Sequence, residues 1–280
     1  MVEMKKISHI GVTLTHGCDI EGGEFAMDVL AQHLSFDERI ELNQKLLKKE
    51  QPLYLSAVLD LNLRLKDTLR QRIEVGELPI VFGGDHALAI GSIAAHTQVN
   101  QAVLWIDAHG DCNTHETSLT QRIHGMPLAI AQGQGHPVLT QLVDHPINPK
   151  HVLLIGIRDL DPLEEALMKS WGNRYITMTE IRDKGFDWLL EEVYVFMNEH
   201  EHVHCSFDCD SMDPYMIPGV NTPVSGGFTV DEILPILQTV FSSDHLNALD
   251  IVEFNPTRDT QATLSLILTL TKMLHEAVEA

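Results

Sequence analysis

Apolar runs of strand length alternate with helical periodicity along most of the chain. The pattern predicts strands at Ile7–Leu14, Pro79–Phe82, Ala102–Ile106, His151–Ile155, Arg174–Met178, Val203–Phe207 and Ala248–Val252. Most are nearly continuous in apolar side chains, the mark of strands covered on both faces. Helical stretches are predicted at Gln51–Arg72, Phe186–Asn198, Asp231–Phe241 and Thr260–Ala277. The segment Thr229-Val-Asp-Glu232 forms a capping box that opens the third of these. Such alternation implies right-handed βαβ units and a parallel sheet, with ligand sites at the carboxyl ends of its strands. No repeat, low-complexity tract or linker interrupts it, so residues 1–280 are expected to form a single α/β domain.

Composition narrows the class. The most apolar segment, Ala262 to Leu274, is interrupted by Thr and Lys and reads as a core-facing helix, so no membrane span is expected. With no secretory signal at the start, a cytoplasmic protein is expected. Forty acidic residues against 19 basic ones give a net charge of −21, which argues against nucleic acid as a partner. The same excess suits a protein whose carboxylates hold cations. Cys18, Cys112, Cys205 and Cys209 form no CxxC pair and no disulfide-like framework.

The chemistry lies where strands stop. Pro79-Ile-Val-Phe82 runs into Gly83-Gly-Asp-His86, Ala102-Val-Leu-Trp-Ile106 into Asp107-Ala-His-Gly-Asp111, and Val203-His-Cys-Ser-Phe207 into Asp208-Cys-Asp210. Ile251-Val252 followed by Glu253 is a weaker case of the same pattern. In extended backbone, residues i, i+2 and i+4 share a side, so Asp107, His109 and Asp111 are expected to converge, as are Asp208 and Asp210. By the same parity Cys112, Cys205 and Cys209 point away, as small core residues. Carboxylates crowded at one edge repel one another, and burial would force protons onto them. Divalent cations resolve that conflict. Four carboxylates and two imidazoles match two metals with shared carboxylates, and mixed oxygen and nitrogen donors favour Mn²⁺, with Zn²⁺, Co²⁺ or Fe²⁺ as substitutes. Two such ions generate hydroxide near neutral pH. Asp-rich strand ends also cap helices, and Gly83-Gly84 also suits a plain tight turn, but neither role accounts for three such clusters together.

From Pro79 onward the chain resembles the arginase branch of the ureohydrolase (arginase/agmatinase) family. The resemblance is carried by Gly83-Gly-Asp-His86, Asp107-Ala-His-Gly-Asp111, His124-Gly-Met-Pro127, Ile155-Gly-Ile-Arg-Asp-Leu-Asp-Pro162, Ser206-Phe-Asp-Cys-Asp-Ser-Met-Asp-Pro214, Thr222-Pro-Val-Ser-Gly-Gly227 and Glu253-Phe-Asn-Pro256. It implies a three-layer αβα sandwich with a central, mainly parallel sheet of about eight strands. It further implies that His86, Asp107, Asp111 and Asp208 hold one Mn²⁺ while Asp107, His109, Asp208 and Asp210 hold the other. The implied reaction is attack of a metal-bridging hydroxide on a guanidinium carbon, giving urea and an amine. Glu253 matches the carboxylate that seats the guanidinium, and His124 the mobile proton carrier to the leaving amine. Asp111 would also hydrogen-bond the hydroxide. Trimers or hexamers are the assemblies the family suggests.

Recognition of an amino-acid tail is assigned by the same resemblance to Asn113, Ser118 and Thr120 for an α-carboxylate, with Thr222 nearby, and to Asp161 and Glu164 for an α-amino group. His115, alone in a polar loop, is expected to face solvent. There are three departures from the family pattern, and the last two, near the expected pocket, bear on the substrate. Gly17-Cys-Asp-Ile-Glu-Gly-Gly23 replaces a Gly-rich segment, Gln121-Arg122 replaces Gly-Asn, and Asn221 replaces Gly before Thr222. L-arginine is the first expectation for the small-molecule substrate. Agmatine, guanidinobutyrate or formiminoglutamate is the alternative, and a weakly active metal-binding relative a third.

Overall fold

The structure, a computed structural model, describes residues 5–42 and 50–280. Eight strands form one sheet: β1 (Ile7–Val12), β2 (Glu38–Ile40), β3 (Leu78–Gly83), β4 (Ala102–Ile106), β5 (Val152–Ile157), β6 (Arg174–Thr177), β7 (Val203–Asp208) and β8 (Leu246–Val252). Their order is β2-β1-β3-β8-β7-β4-β5-β6, and every pairing is parallel. The expected strands are all present. β2 is an addition to them, because three residues with charges at two positions carry no apolar run. His151 ends a short 3₁₀ turn rather than starting β5, and Met178 begins a helix capped by Thr177.

Side chains leave the sheet alternately on two faces. Ile80, Phe82, Leu104, Ile106, Phe207 and Ile251 enter a core with Phe196, Ile233, Ile236 and Leu270 from the helices Phe186–Glu199, Val230–Phe241 and Ala262–Glu279. On the other face Val81 joins Leu61 and Leu65 of the helix Leu55–Glu74, while Val103 and Trp105 join Leu128 and Met168. Helices therefore cover both faces of the sheet, a three-layer αβα arrangement. The predicted capping box at Thr229 and Glu232 is formed. The first long helix begins at Leu55 rather than Gln51, because Tyr54 takes a left-handed conformation that helical backbone cannot continue.

Strand order makes the functional edge. β8 and β7 from late in the chain lie between the consecutive strands β3 and β4, and parallel pairing brings all four carboxyl ends to one side. The register runs level across them: Phe82 beside Ile251, Ile251 beside Phe207, Phe207 beside Ile106. Asp208 and Asp107 follow directly on this row. Gly84 sits where β3 ends, and its carbonyl accepts the Glu253 N–H at 2.7 Å. A Cβ at Gly84 would lie 1.8 Å from the Leu14 carbonyl oxygen, a backbone atom that cannot step aside.

Gly84→Ala should therefore cost about 3 kcal/mol or more in urea unfolding. Gly76, at φ +80° with nothing within 4 Å of its added Cβ, gives the comparison. Gly76→Ala should cost only about 1 kcal/mol, the left-handed penalty alone. Equal costs would show that the close approach at Gly84 carries no weight.

Candidate active site

His86 lies in a short 3₁₀ turn whose start is capped by Asp85, its side chain accepting from the Ala87 N–H. The imidazole stacks on Trp105 at 4.0 Å with 7° between the planes, and Trp105 Nε1 donates to Asp107 Oδ2 at 2.9 Å. Three carboxylate oxygens surround His86 Nδ1, from Asp208 at 3.0 Å, Asp107 at 3.1 Å and Asp111 at 3.2 Å. His109 Nδ1 lies 3.2 Å from Asp210 Oδ2 and 3.3 Å from Asp107 Oδ1. Ligand-capable atoms thus gather as His86, Asp107 and Asp208 in one group and Asp107, His109 and Asp210 in the next. Asp107 belongs to both.

The six side chains converge as expected, but not by strand alternation. β4 stops at Ile106, and Asp111 reaches back to His86 from a left-handed conformation at φ +47°. Asp208 ends β7 and caps a 3₁₀ turn, its Oδ1 accepting the Asp210 N–H at 2.6 Å. Turns, rather than extended backbone, aim these groups.

Electrostatics calls for cations here. Burial disfavours charge on the imidazoles, yet the carboxylates around His86 and His109 hold both well above the ordinary value. Burial and the neighbouring Asp210 and Asp107 push Asp208 well up, and burial together with Asp107 brings Asp111 to about 6. His86 Nδ1 is buried and has no aligned hydrogen-bond partner. A cation taking the place of the Nδ1 proton would meet one nitrogen and three carboxylates, a donor set that fits a divalent metal with oxygen and nitrogen ligands.

Behind His86 runs a buried polar chain not legible as functional in the sequence. His86 Nε2 lies 2.8 Å from Ser206 Oγ, which donates to Asp250 Oδ2 at 3.3 Å. Ser92 Oγ donates to the same oxygen at 2.7 Å, and His204 Nε2 lies 2.8 Å from it. The one Ser206 hydroxyl proton goes to Asp250, so Ser206 must accept from His86 Nε2–H, which leaves Nδ1 as the ligand nitrogen once it gives up its proton. The available signal is polar residues alternating within core strands: His204 and Ser206 in β7, Asp250 in β8. Arg158 is likewise absent from the expected site. Its guanidinium donates to the carbonyls of Gly156, Asp210, Met212 and Val224, tying the β5 end to the loop after β7.

Glu253 ends the β8 edge at φ +64° and is 1% exposed. Its Oε1 accepts the His86 N–H at 2.9 Å and lies 3.2 Å from His124 Nδ1. Burial opposes its charge, but the His124 contact outweighs this and holds the carboxyl below the usual range. Glu253 in turn raises His124 against its own burial. Cys18 comes within reach of both, although burial keeps its thiol protonated. All four cysteines are free and buried.

Asn113, Ser118, Thr120, Asp161, Glu164 and Thr222 line one cavity of about 210 Å³ with Asp111, His124 and Arg122. They differ in freedom. Thr120 is exposed, and Ser118 Oγ accepts the Gln121 N–H at 3.0 Å. Asn113 Nδ2 donates to Asp161 Oδ2 at 3.1 Å, and Thr222 Oγ1 to Asp210 Oδ2 at 2.7 Å. Glu164 is committed to capping: it accepts the Cys112 N–H at 2.8 Å and the Asp161 N–H at 3.3 Å. Burial and Asp111 push Glu164 up to about 8. Gln121 turns inward, donating to the carbonyls of His115 and Ser118 at 2.8 Å each. His115, expected in solvent, is half-buried against His136.

Asp250→Ala would strand three buried donors, Ser92, Ser206 and His204. It should cost about 3 kcal/mol or more in urea unfolding, a loss a surface ion pair would not produce. A cost under about 1 kcal/mol would mean that the chain behind His86 carries no structural load.

Residues 20–275 match the model of the Arginase family. The arginase of Bacillus caldovelox is 40% identical over 210 residues, 73% of this chain and 70% of that protein. The arginase of Brevibacillus brevis is 33% identical over 276 residues, 92% and 93% of the two chains. In structure, the B. caldovelox arginase aligns with a TM-score of 0.88 and 34% identity, covering 97% of this chain and 98% of that one. The Entamoeba histolytica arginase, solved with L-ornithine, aligns at 0.86 with 28% identity over 98% and 99%.

Proposed function

The chain belongs to the arginase family, and we propose that it hydrolyses L-arginine to ornithine and urea with two Mn²⁺ ions. The observation that carries this reading is the sharing of Asp107 between two ligand groups at one wall of a cavity whose other wall offers hydroxyl and amide donors. His86, Asp107, Asp111 and Asp208 would hold one ion and Asp107, His109, Asp208 and Asp210 the other. Two divalent ions held together supply what the side chains lack, a means of deprotonating water near neutral pH. Glu253 seats the planar guanidinium cation, and its buried carboxylate stays ionised to do so. Asp111 accepts a hydrogen bond from the incoming nucleophile. His124, held protonated by Glu253, delivers its proton to the leaving amine.

At the far end, Ser118, Thr120 and Asn113 bind the α-carboxylate. Asp161 is the charged partner of the α-ammonium, with Glu164 positioning it through the Asp161 N–H. Thr222 orients Asp210. A more acidic tail is the second reading, favoured by one observation, the Arg122 side chain on the cavity wall. No helix among the described residues is long and apolar enough to cross a membrane, and the free buried cysteines suit a reducing cytoplasm. We further propose a homo-oligomer, trimeric or hexameric.

Elemental analysis of the purified chain should find about two Mn²⁺ per polypeptide, with activity lost on prolonged chelation and restored by Mn²⁺. Asp208→Asn should lose both metal and rate. His124→Ala should keep both ions while kcat falls roughly 10- to 10⁴-fold. Metal loss in the His124 variant would show that it had been misassigned as proton carrier.

The substrate is tested by competition between tails. kcat/KM for L-arginine should exceed that for agmatine by about 100-fold or more, because a site built to bind a polar group rejects an analogue lacking it. The double variant Asn113→Ala, Thr120→Ala should narrow the gap through a higher KM for arginine. Equal or faster hydrolysis of agmatine would sink arginine as the substrate and leave the family assignment untouched.

A further inference from the structure

Glu253 has a second set of contacts on its other oxygen. Asn221, 5% exposed in the loop before Thr222, donates from Nδ2 to Glu253 Oε2 at 3.1 Å. The direction of that bond is fixed by a chain of neighbours. The Thr257 N–H and Oγ1 both donate to Asn255 Oδ1, at 3.0 and 2.6 Å. A backbone N–H can only donate, so Asn255 Nδ2 must face the other way, where it meets the Glu21 carbonyl at 2.9 Å and Asn221 Oδ1 at 2.7 Å. Asn221 Oδ1 therefore accepts, and its NH₂ faces Glu253. Neither amide can flip without placing two like groups together.

We propose that Asn221 is a positioning residue that fixes the plane of the Glu253 carboxylate for a planar guanidinium cation, an inference that rests on Glu253 being its seat. The last torsion of a glutamate side chain is broad, so rotamer preference alone does not set the plane of its carboxylate. Hydrogen bonds must. A carboxylate offers about four acceptor sites, two on each oxygen. The His86 backbone N–H holds one on Oε1, and the locked Asn221 amide holds one on Oε2. Each oxygen keeps one further site, the number that a two-pronged cation needs. His124 Nδ1 occupies the Oε1 site here, but its side chain lies on the cavity wall and is 17% exposed, unlike the two fixed donors. Asn221 thus acts at the guanidinium end and leaves the choice of tail to the opposite wall. The loop at Glu21 is drawn into the same assembly through its carbonyl.

The test uses the Mn²⁺-loaded full chain, with calorimetric Kd for guanidinium chloride as the probe and kcat and KM for arginine beside it. Asn221→Gly should keep both metals, raise the guanidinium Kd and the arginine KM roughly 5- to 20-fold, and change kcat less than KM. Asn255→Asp keeps shape and acceptors but loses the donor that orients Asn221, and should shift both constants the same way by a smaller factor. A lower Tm with an unchanged guanidinium Kd in either variant would overturn the proposal, since a merely structural role predicts that pattern. Glu253→Gln separates the two levels. If it leaves guanidinium affinity unchanged, the seat itself is misassigned. If it weakens affinity while Asn221→Gly does not, only the role of Asn221 falls.

Discussion

Everything at the carboxyl edge of the sheet follows from an excess of buried negative charge. Asp107, Asp208 and Asp210 are each at most 2% exposed, and Asp111 and Glu253 join them within the same few ångströms. Placing like charges together in a low-dielectric interior is unfavourable unless positive charge is placed among them. The protein's own answer is partial: two imidazoles sit between the carboxylates, with His124 against Glu253. The rest is left for cations from outside. Among the described residues no lysine lines the cavity, Arg122 stands on its wall, and the guanidinium of Arg158 is spent on backbone carbonyls.

Sheet order is what makes such crowding attainable. Had the strands lain in chain order, β3 and β7 would stand far apart, and His86 could not reach Asp208. Inserting β8 and β7 between β3 and β4 brings three ligand-bearing strand ends and Glu253 within one span. Level register then sets Ile106 beside Phe207, the residues from which Asp107 and Asp208 follow. The hydrophobic rows beneath, Phe82, Ile251, Phe207 and Ile106, hold that register. Slipping any strand by one residue would exchange the side chains of its two faces between differently shaped cores. Packing of the apolar face and placement of the carboxylates are thus one constraint.

Much of this is legible in the order of residues alone. Continuous apolar runs announce buried parallel strands, and acids directly after them announce the edge where ligands bind. What escapes is whatever depends on non-local pairing or on backbone outside the regular regions. β2 lacks any apolar run and exists because β1 offers it an edge. Asp107, His109 and Asp111 do converge, but strand alternation is the wrong reason for expecting it, since periodicity holds only while the strand continues. Ser206 and Asp250 read as interruptions in core strands, and only the contact of β7 with β8 shows that they face one another and back His86. Glu164, on the cavity wall, also caps the helix that begins beside the site, a second role that only the folded chain shows.

The irregular backbone has its own logic. Among the described residues five non-glycine positions have positive φ, and three of them, Asp111, Gln121 and Glu253, are at the site. Each such conformation costs of order 1 kcal/mol or more and persists only where surroundings over-determine it. They do so here. The Glu253 N–H is held by the Gly84 carbonyl, and its carboxylate by three donors. The Asp111 carbonyl accepts from the N–H groups of Leu128 and Ala129, and Gln121 is braced by its own side chain and by the Leu53 N–H. The remaining two, Asp19 and Tyr54, are joined by a 2.9 Å hydrogen bond, and Leu53 links them to Gln121. Strain gathers on the side of the molecule where regular strands have ended and side chains must point along the sheet rather than away from it. Regular β-structure can carry a carboxylate to the edge, but only a left-handed residue can turn one back over the ends of its neighbours.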